Sequence, residues 1–217
     1  MTDVTLNPLA IVVLLISLSL APYLILLISS FVKMVIVMNL VRNALGVQQV
    51  PPNMVLNGLA IMLSLYVMFP TIKEIGSIAA NTPLNVQSFE DIKNIAHAFE
   101  TPIKKFLDKH TVEKNKTFFF KTARKLWPAE DAEKLKGDSL LVLIPAFTVT
   151  ELTEAFQIGF LLYLPFVAID LIVSNILLAL GMMMVSPMTI SLPFKLMLFV
   201  IVNGWSKLIY GLVLTYR

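Results

Sequence analysis

The chain has 217 residues, of which 57% are hydrophobic, and its mean hydropathy is +0.81. A soluble domain is typically about 45–50% apolar, so this excess argues against an ordinary soluble protein and indicates an integral membrane protein. The net charge of +3 is too small to indicate a nucleic-acid partner, and the absence of cysteine excludes disulfides and thiolate metal sites.

Four apolar segments predict membrane-spanning helices, because each is near or above the roughly 20 residues that cross a bilayer. They cover residues 9–32, 54–72, 158–185 and 192–214. Prolines, amides, hydroxyls or charges interrupt all four, and such groups are tolerated at membrane depth where protein or water surrounds them. The sequence therefore predicts an all-α protein whose helices pack inside a larger oligomer.

Three regions follow along the chain. Residues 1–72 form an N-terminal helical hairpin region, 73–138 a hydrophilic helical insert, and 139–217 a C-terminal helical hairpin region with a methionine-rich turn. The insert holds 12 of the 17 Lys and Arg residues and 10 of the 14 Asp and Glu residues. It is predicted to be a solvated unit of two or three short amphipathic helices.

Three local patterns predict helix starts. Residues 88–91 resemble a capping box, in which a Ser or Thr precedes an acidic side chain by three positions. Thr101-Pro102 indicates a second start, with proline at the first helical position. Residues 148–151 form another capping-box pattern, and they predict the opening of the helix that leads into the third span.

The charges of the short loops predict the orientation in the membrane. The connection between the first two spans carries Lys33 and Arg42 and no acid. The positive-inside rule places this connection in the cytoplasm and the insert on the opposite side of the membrane. The turn between the third and fourth spans then also faces the cytoplasm, and both termini lie outside.

Two charged residues interrupt the apolar C-terminal segments, Asp170 before the turn and Lys195 after it. An ionisable residue at membrane depth is by default a candidate functional site. With the turn placed near residues 185–191, Asp170 lies deeper than Lys195, so a pair between neighbouring subunits is easier to form than one within the chain. The alternatives are that Lys195 extends to the interface while Asp170 caps a broken helix, or that Asp170 serves a proton relay.

Three consecutive methionines, Met182, Met183 and Met184, lie between Gly181 and Pro187. They cannot all face one direction on a helix, so an exposed turn is expected. Methionine is flexible and polarizable, and it fills irregular gaps while still able to repack. The cluster is compatible with a deformable seal and equally with packing in a core.

No pattern predicts an active site. His97 and His110 lie 13 positions apart on the charged insert, without a neighbouring metal-binding partner, and we expect both to be solvated. The serines lack a His and Asp constellation, and no glycine-rich phosphate loop is present. The sequence predicts no catalytic residue, no metal site and no cofactor.

Eight sequence blocks in the two apolar halves of the chain form one pattern. They are LVRNALG at 40–46, VPPNMVLNGLA at 50–60, IPAF at 144–147, EL at 151–152, AFQIGFL at 155–161, LPFVAIDL at 164–171, GMMM at 181–184 and ISLPFK at 190–195. Together these blocks resemble the type III secretion export-gate family, which includes the flagellar FliP and injectisome SctR proteins, whereas the insert shows little of the pattern. The short N-terminus resembles the injectisome branch, SctR or YscR-like, more than the flagellar one.

The resemblance implies a pentamer completed by two smaller membrane proteins, the S and T components, into a helical, cone-like gate. It implies further contacts with a large export-gate protein and with secreted polypeptides, and a position at the periplasmic level of the bacterial inner membrane. Met182, Met183 and Met184 match the methionine ring around the export channel. Asp170 and Lys195 match the charged positions at membrane level.

Two functions from different classes follow. The first is a non-enzymatic core subunit of the export gate, in which unfolded substrate threads a pore that the methionines seal. The second is an ion-coupled secondary transporter subunit that uses Asp170, which paired inverted repeats would support, although the two halves show no convincing self-similarity. A scaffold without a channel of its own is a third possibility.

Overall fold

The computed structural model describes residues 8–81 and 89–217, and over these residues the protein is all-α, as predicted. The described residues form nine helices and no strand. The helices are α1 Pro8–Leu27, α2 Phe31–Leu45, α3 Asn53–Asn81, α4 Phe89–Lys109, α5 Glu113–Leu126, α6 Ala129–Lys134, α7 Leu140–Ala179, α8 Pro187–Ile201 and α9 Gly204–Leu214.

Helix α2 lies at the centre of the core. Its buried side chains recur three or four positions apart, which places them along one stripe of a helix. Each fully buried aliphatic or methionine side chain contributes about 1.5–3 kcal/mol relative to an exposed one. The stripe consists of Met34, Val37, Met38, Val41, Ala44 and Leu45, all at most 2% exposed.

Helices α2 and α7 run in the same direction and are in close contact. Lys33 near the start of α2 meets Glu151, and Leu40, further along α2, meets Gly159. A Cβ at Gly159 would lie 2.2 Å from Leu40 Cδ1, so the missing side chain creates the space that Leu40 occupies. The order of these contacts establishes the parallel packing of the two helices.

Membrane-capable helices are present, although their limits differ from those predicted. By length and composition, two helices among the described residues could cross a membrane, Asn53–Ala80 and Leu140–Ala179. A third span is possible if α8 and α9 form one, and these two helices meet at an angle of 61°. The predicted fourth span is therefore divided near Val202, and the boundary predicted at residue 72 falls inside α3.

The predicted first span, residues 9–32, is not one helix. Helix α1 ends at Leu27 and α2 begins at Phe31. Between them, the Ser29 hydroxyl donates to the Leu26 carbonyl at 3.2 Å. The Ser30 hydroxyl is bonded to Ser64 of α3 at 3.1 Å, and both side chains are buried. These hydroxyl contacts mark the break that hydropathy could not locate.

Helix α7 begins earlier than the capping-box pattern at 148–151 predicts, so that prediction is wrong. Ser139 is the N-cap, and its hydroxyl accepts a bond from the Leu141 amide. The residues at 148–151 lie inside the helix, where their amides are already bonded and need no cap. Pro145 and Pro165 are also inside α7, and the helix continues through both.

Among the described residues of the hydrophilic insert lie the end of α3 and three helices, α4 to α6. The start predicted at Thr101-Pro102 is wrong, because α4 runs through both residues to Lys109. The pattern at 88–91 begins with Ser88, which lies outside the described residues. Lys116 of α5 contacts Asp108 of α4 at 2.6 Å, and this hydrogen bond raises the pKa of Lys116.

Candidate functional site

The methionine cluster lies in the turn between α7 and α8, as expected. Gly181 has φ +73°, in the left-handed region that glycine adopts without strain. The Met182 amide donates to the Leu177 carbonyl at 2.9 Å, and the Gly181 amide donates to Leu178 at 3.0 Å. This pair of bonds is the Schellman arrangement, which terminates a helix and satisfies its last carbonyls.

The three methionine side chains extend away from the chain. Met182 is 44% exposed, Met183 81% and Met184 fully exposed. They are therefore not packed in the core of this chain, so core packing within one subunit is excluded as their role. A flexible apolar surface at a helix turn is available to line a contact that this chain alone does not complete.

Beneath this turn, Asp170 and Lys195 form an ion pair within the chain. Lys195 Nζ lies 2.5 Å from Asp170 Oδ2, and the Ser191 hydroxyl donates to Asp170 Oδ1 at 2.6 Å. Lys195 and Ser191 are at most 3% exposed, whereas the Asp170 side chain is 35% exposed. Both oxygens of the Asp170 carboxylate are therefore hydrogen-bonded, and one side of the group is exposed to solvent.

The expectation that a pair between subunits is easier to form rested on the wrong position of the turn. Helix α7 ends at Ala179, nine positions after Asp170, and α8 starts at Pro187, eight positions before Lys195. The two residues are therefore almost equally distant from the turn, and they meet side by side.

The same ammonium also reaches α2. Lys195 Nζ donates to the Ala44 carbonyl at 3.3 Å, in the last turn of α2. Gly46, the residue after the end of α2, has φ +75°, and its amide donates to the Asn43 carbonyl. A cation at the carboxyl end of a helix is favourable because the unpaired carbonyls carry partial negative charge. Lys195 therefore links α2, α7 and α8 immediately below the methionine turn.

A second buried charge cluster lies near the other end of α7. Lys33 Nζ lies 3.0 Å from Glu151 Oε1 and 2.7 Å from Glu154 Oε2. The Lys33 and Glu151 side chains are 2% and 0% exposed, whereas Glu154 is partly exposed. A desolvated ammonium between two carboxylates needs such partners, because an unpaired buried charge is costly.

Tyr216 completes this second cluster from beyond α9. Its hydroxyl donates to Glu151 Oε2, and Lys33 Nζ lies 4.2 Å from the centre of its ring. The ring is stacked with Phe106 of α4 at 6.4 Å. Burial, followed by the charge of Glu151, raises the pKa of Tyr216 well above its usual range. The hydroxyl therefore remains a donor.

The prediction that both histidines are solvated is wrong for His110, which is partly buried, whereas His97 is largely exposed. The His110 ring packs 4.9 Å from Phe106 and 5.2 Å from Tyr216, measured between ring centres. Burial, with the nearby charges of Lys109 and Lys33, lowers the pKa of His110 to about 4. His110 is therefore neutral at physiological pH and belongs to the aromatic wall of the second cluster.

Sequence reasoning missed the second cluster because it assigned Lys33 to a loop and Glu151 to a helix cap. Lys33 lies within α2 and is buried. Its pairing with two acids also removes it from the loop charges used to predict orientation, so the orientation stays a prediction. The available signal was the pair of acids, Glu151 and Glu154, spaced by three in an otherwise apolar segment.

Comparison with known proteins identifies similar chains of nearly the same length. The FliP family matches residues 14–212. "Yop proteins translocation protein R" of Yersinia pestis is 51% identical over 199 residues, which cover 92% of each chain. "Hypersensitivity response secretion protein HrcR" of Ralstonia nicotianae is 48% identical over 211 residues, 96% of this chain and 97% of the relative. "Virulence protein YscR" of Salmonella typhimurium is 47% identical over 215 residues, 97% of each chain.

Proposed function

The chain belongs to the FliP family, and we propose from this membership that it is a core subunit of the type III secretion export gate. The names of its relatives refer to translocation and secretion, and those relatives match along nearly their whole length. The gate passes unfolded polypeptide across the bacterial inner membrane. The subunit itself performs no chemistry, and the energy comes from elsewhere in the apparatus.

The methionine turn is the observation that carries the gating role. Met183 and Met184 are almost entirely solvent-exposed, while the backbone beneath them is held by the Schellman bonds and by the pair of Asp170 and Lys195. In a ring of subunits, such turns present flexible thioether side chains toward the axis. They yield to a passing chain and close again without requiring a fixed partner shape.

The outer faces of α3 and α7 support assembly with further subunits. Met62, Tyr66, Phe160 and Leu164 are among the exposed large apolar side chains of these membrane-capable helices. Asn57 also lies exposed on α3, next to Gly58, which has open space at its Cβ position. Small and polar residues on such helices favour close contacts between helices.

We place the chain in a pentamer with the two smaller S and T components, with the large export-gate protein nearby, at the periplasmic level of the inner membrane. Size measurement of the detergent-solubilised complex, with and without the small partners, tests this assembly. A monodisperse monomer that co-expression leaves unchanged would contradict it.

The ion-coupled transporter is not favoured by the geometry of Asp170. Both of its carboxylate oxygens are bonded, to Lys195 and to Ser191. Binding a coupling cation at this carboxylate would have to displace an ammonium that is buried with it. The contacts fit a structural pair better than an ion-binding site.

Replacing Met182, Met183 and Met184 with alanine tests the gate. We expect small ions and solutes to leak across the membrane of cells that express the triple variant, because most of the side-chain volume at the turn is lost. Secretion is expected to continue, since threading requires passage and not tight contact. Membrane conductance at matched expression is the measurement.

A control is the double alanine variant at Met54 and Met197, which are exposed methionines outside the turn. It removes exposed thioethers of the same kind and should leave the membrane tight. If the turn variant is as tight as wild type, the methionines do not seal the channel.

A further inference from the structure

A groove separate from the methionine turn runs between α7 and the bent pair α8 and α9. Its volume is 520 Å³, within the range of about 300–1,000 Å³ typical of small-molecule sites. Its walls are almost entirely apolar, with Leu162 and Phe166 on one side and Leu208 on the other. Such a groove suits a hydrocarbon chain.

The bend and two glycines shape the groove. Helices α8 and α9 meet at an angle of 61°, so α9 does not continue along the axis of α8. Gly204 and Gly211 lie seven positions apart and therefore on nearly the same face of α9, where they line the groove. A Cβ at Gly211 would meet no atom within 4 Å, so the space beside this glycine is open.

Lys207 is the one charged residue in the lining of the groove. Within the part of the chain that the structure describes, it forms no ion pair, whereas Lys33 and Lys195 are both paired. An unpaired lysine on a membrane-capable helix pair is expected to reach toward an anion or the interface. The groove thus combines an apolar body with one cation.

Two aromatic residues on α9 give independent evidence of the level at which Lys207 lies. Trp205 and Tyr210 flank it, and Tyr210 is 69% exposed. Trp and Tyr are enriched where a membrane helix meets the lipid headgroups. The Trp205 ring is held edge-on against Phe199 of α8, with ring centres 5.4 Å apart. A Trp and a Tyr beside a lysine are typical of a helix segment at the level of lipid headgroups.

We propose that this groove binds a membrane phospholipid, with an acyl chain along α7 and the phosphate at Lys207. Charge complementarity and the apolar walls together distinguish a phospholipid from a neutral hydrocarbon. The single cation of the groove, Lys207, favours an anionic headgroup, so an anionic lipid such as phosphatidylglycerol is the expected occupant. The bound lipid fills the space that the bend of α8 and α9 leaves beside the core.

Lipid retention by the purified complex tests the proposal. Full-length protein is purified with its partner subunits in mild detergent, and bound phospholipid is counted per chain by native mass spectrometry. Wild type should retain phospholipid through extended washing. Gly211→Leu fills the open part of the groove and should reduce retention at least tenfold. Thr215→Leu narrows the same groove from its end and should also reduce retention if Gly211→Leu fails to fold.

The headgroup is tested by titrating the delipidated complex with short-chain phosphatidylglycerol, phosphatidylcholine or inorganic phosphate. Lys207→Gln should weaken phosphatidylglycerol binding about tenfold, which corresponds to about 1.4 kcal/mol, because the anionic headgroup loses its one cationic partner in the groove. It should change phosphatidylcholine binding much less. Inorganic phosphate alone should not bind, because it does not use the apolar walls.

Matched controls are Gly76→Leu, at an exposed glycine with similarly open space on α3, and Lys73→Gln, at an exposed lysine. Neither should alter lipid retention.

Unchanged retention in folded Gly211→Leu and Thr215→Leu variants would overturn the proposal. So would smaller oligomers with normal lipid content, because that result would assign the groove to a helix of another subunit. Oligomer size is measured in the same sample, which separates loss of lipid from loss of the proposed assembly.

Discussion

The two charge clusters of α7 both connect α7 to α2, but they differ in their exposure to solvent. At one end Lys33 joins Glu151 and Glu154, with almost no solvent access to the first two. At the other end Lys195 joins Asp170, which keeps an open side. Glu151 and Asp170 are 19 positions apart, or about 28 Å along a helix. One cluster is sealed by aromatic rings, and the other supports an exposed turn.

This difference teaches that similar ion pairs can serve different purposes in one helix bundle. The sealed cluster of Lys33 and Glu151 fixes α2, α4 and α7 around an aromatic core that includes Tyr216. The open cluster fixes the geometry just below the methionines. Loss of the first should therefore appear mainly as instability, and loss of the second mainly as altered assembly or sealing.

The largest expected effect is that of Lys33→Met. It leaves Glu151 buried without its cation, which costs on the order of 3–5 kcal/mol for a buried pair. We expect much lower yield and a strongly reduced Tm of the detergent-solubilised complex. Lys73→Met is the control, since Lys73 lies exposed on α3. Equal Tm values for the two variants would show that the cluster does not hold the fold.

A smaller loss is expected from Lys195→Met. It leaves Asp170 unpaired, but this carboxylate is partly exposed and keeps the bond from Ser191, so we expect about 1–3 kcal/mol. Asp170→Asn added to Lys195→Met should recover part of that stability by removing the leftover charge. Assembly and secretion are measured beside Tm. Normal assembly and export by both Asp170→Ala and Lys195→Ala would contradict a role for this pair.

The hydroxyl partners of the two carboxylates sharpen the comparison further. Tyr216→Phe removes the donor to fully buried Glu151, and Ser191→Ala removes the donor to partly open Asp170. We expect about 1.5–3 kcal/mol for the first and about 0.5–1.5 kcal/mol for the second, because water can replace only the second donor. Unfolding of both variants under identical detergent conditions provides the measurement. The reverse order of stabilities would refute the assignment of sealed and open clusters.

The effect that is smallest at neutral pH concerns His110, whose contribution to stability changes only as the pH falls. Its pKa is about 4 in the folded protein and 6.5 in the reference state, so the unfolded chain binds the extra proton first. Stability from this residue is therefore complete above about pH 6.5 and decreases as the pH falls toward 4. His110→Phe should lose less stability than wild type across this interval and run parallel to it below about pH 4. Tm as a function of pH checks the difference between the two proteins, and parallel curves throughout would contradict it.

Hydropathy predicted the approximate location of the apolar helices, since apolar length reports burial in lipid or protein. It could not predict the break at Ser29 and Ser30, which depends on hydroxyl partners, one of them 34 positions away in α3. It also could not locate the end of α7. That end is determined by Gly181 in the left-handed conformation, and it decides whether Asp170 can meet Lys195.

The candidate site was predictable to a similar extent. Its residues could be selected because charges and consecutive methionines are unusual in apolar segments, and the exposed turn was expected from the pattern. The partners of those residues were not, because pairing is a property of packed helices. Glu151 shows the limit most clearly. The spacing of a capping box placed it at a helix start, whereas the tertiary structure places it in the core beside Lys33.

The methionine turn combines a stiff frame with a compliant lining. Its backbone is fixed by the hydrogen bonds of the Met182 and Gly181 amides to the end of α7. The ion pair between Asp170 of α7 and Lys195 of α8 fixes the two helices that the turn connects. Each methionine adds three side-chain torsions, which exchange among staggered positions with little energetic cost. In the gate proposed above, an aperture built from such turns changes its width through side-chain torsions while its backbone diameter stays constant. The proposal then implies that resistance to a threading polypeptide arises at each residue that passes, as friction against the side chains, and not from one opening movement of the backbone.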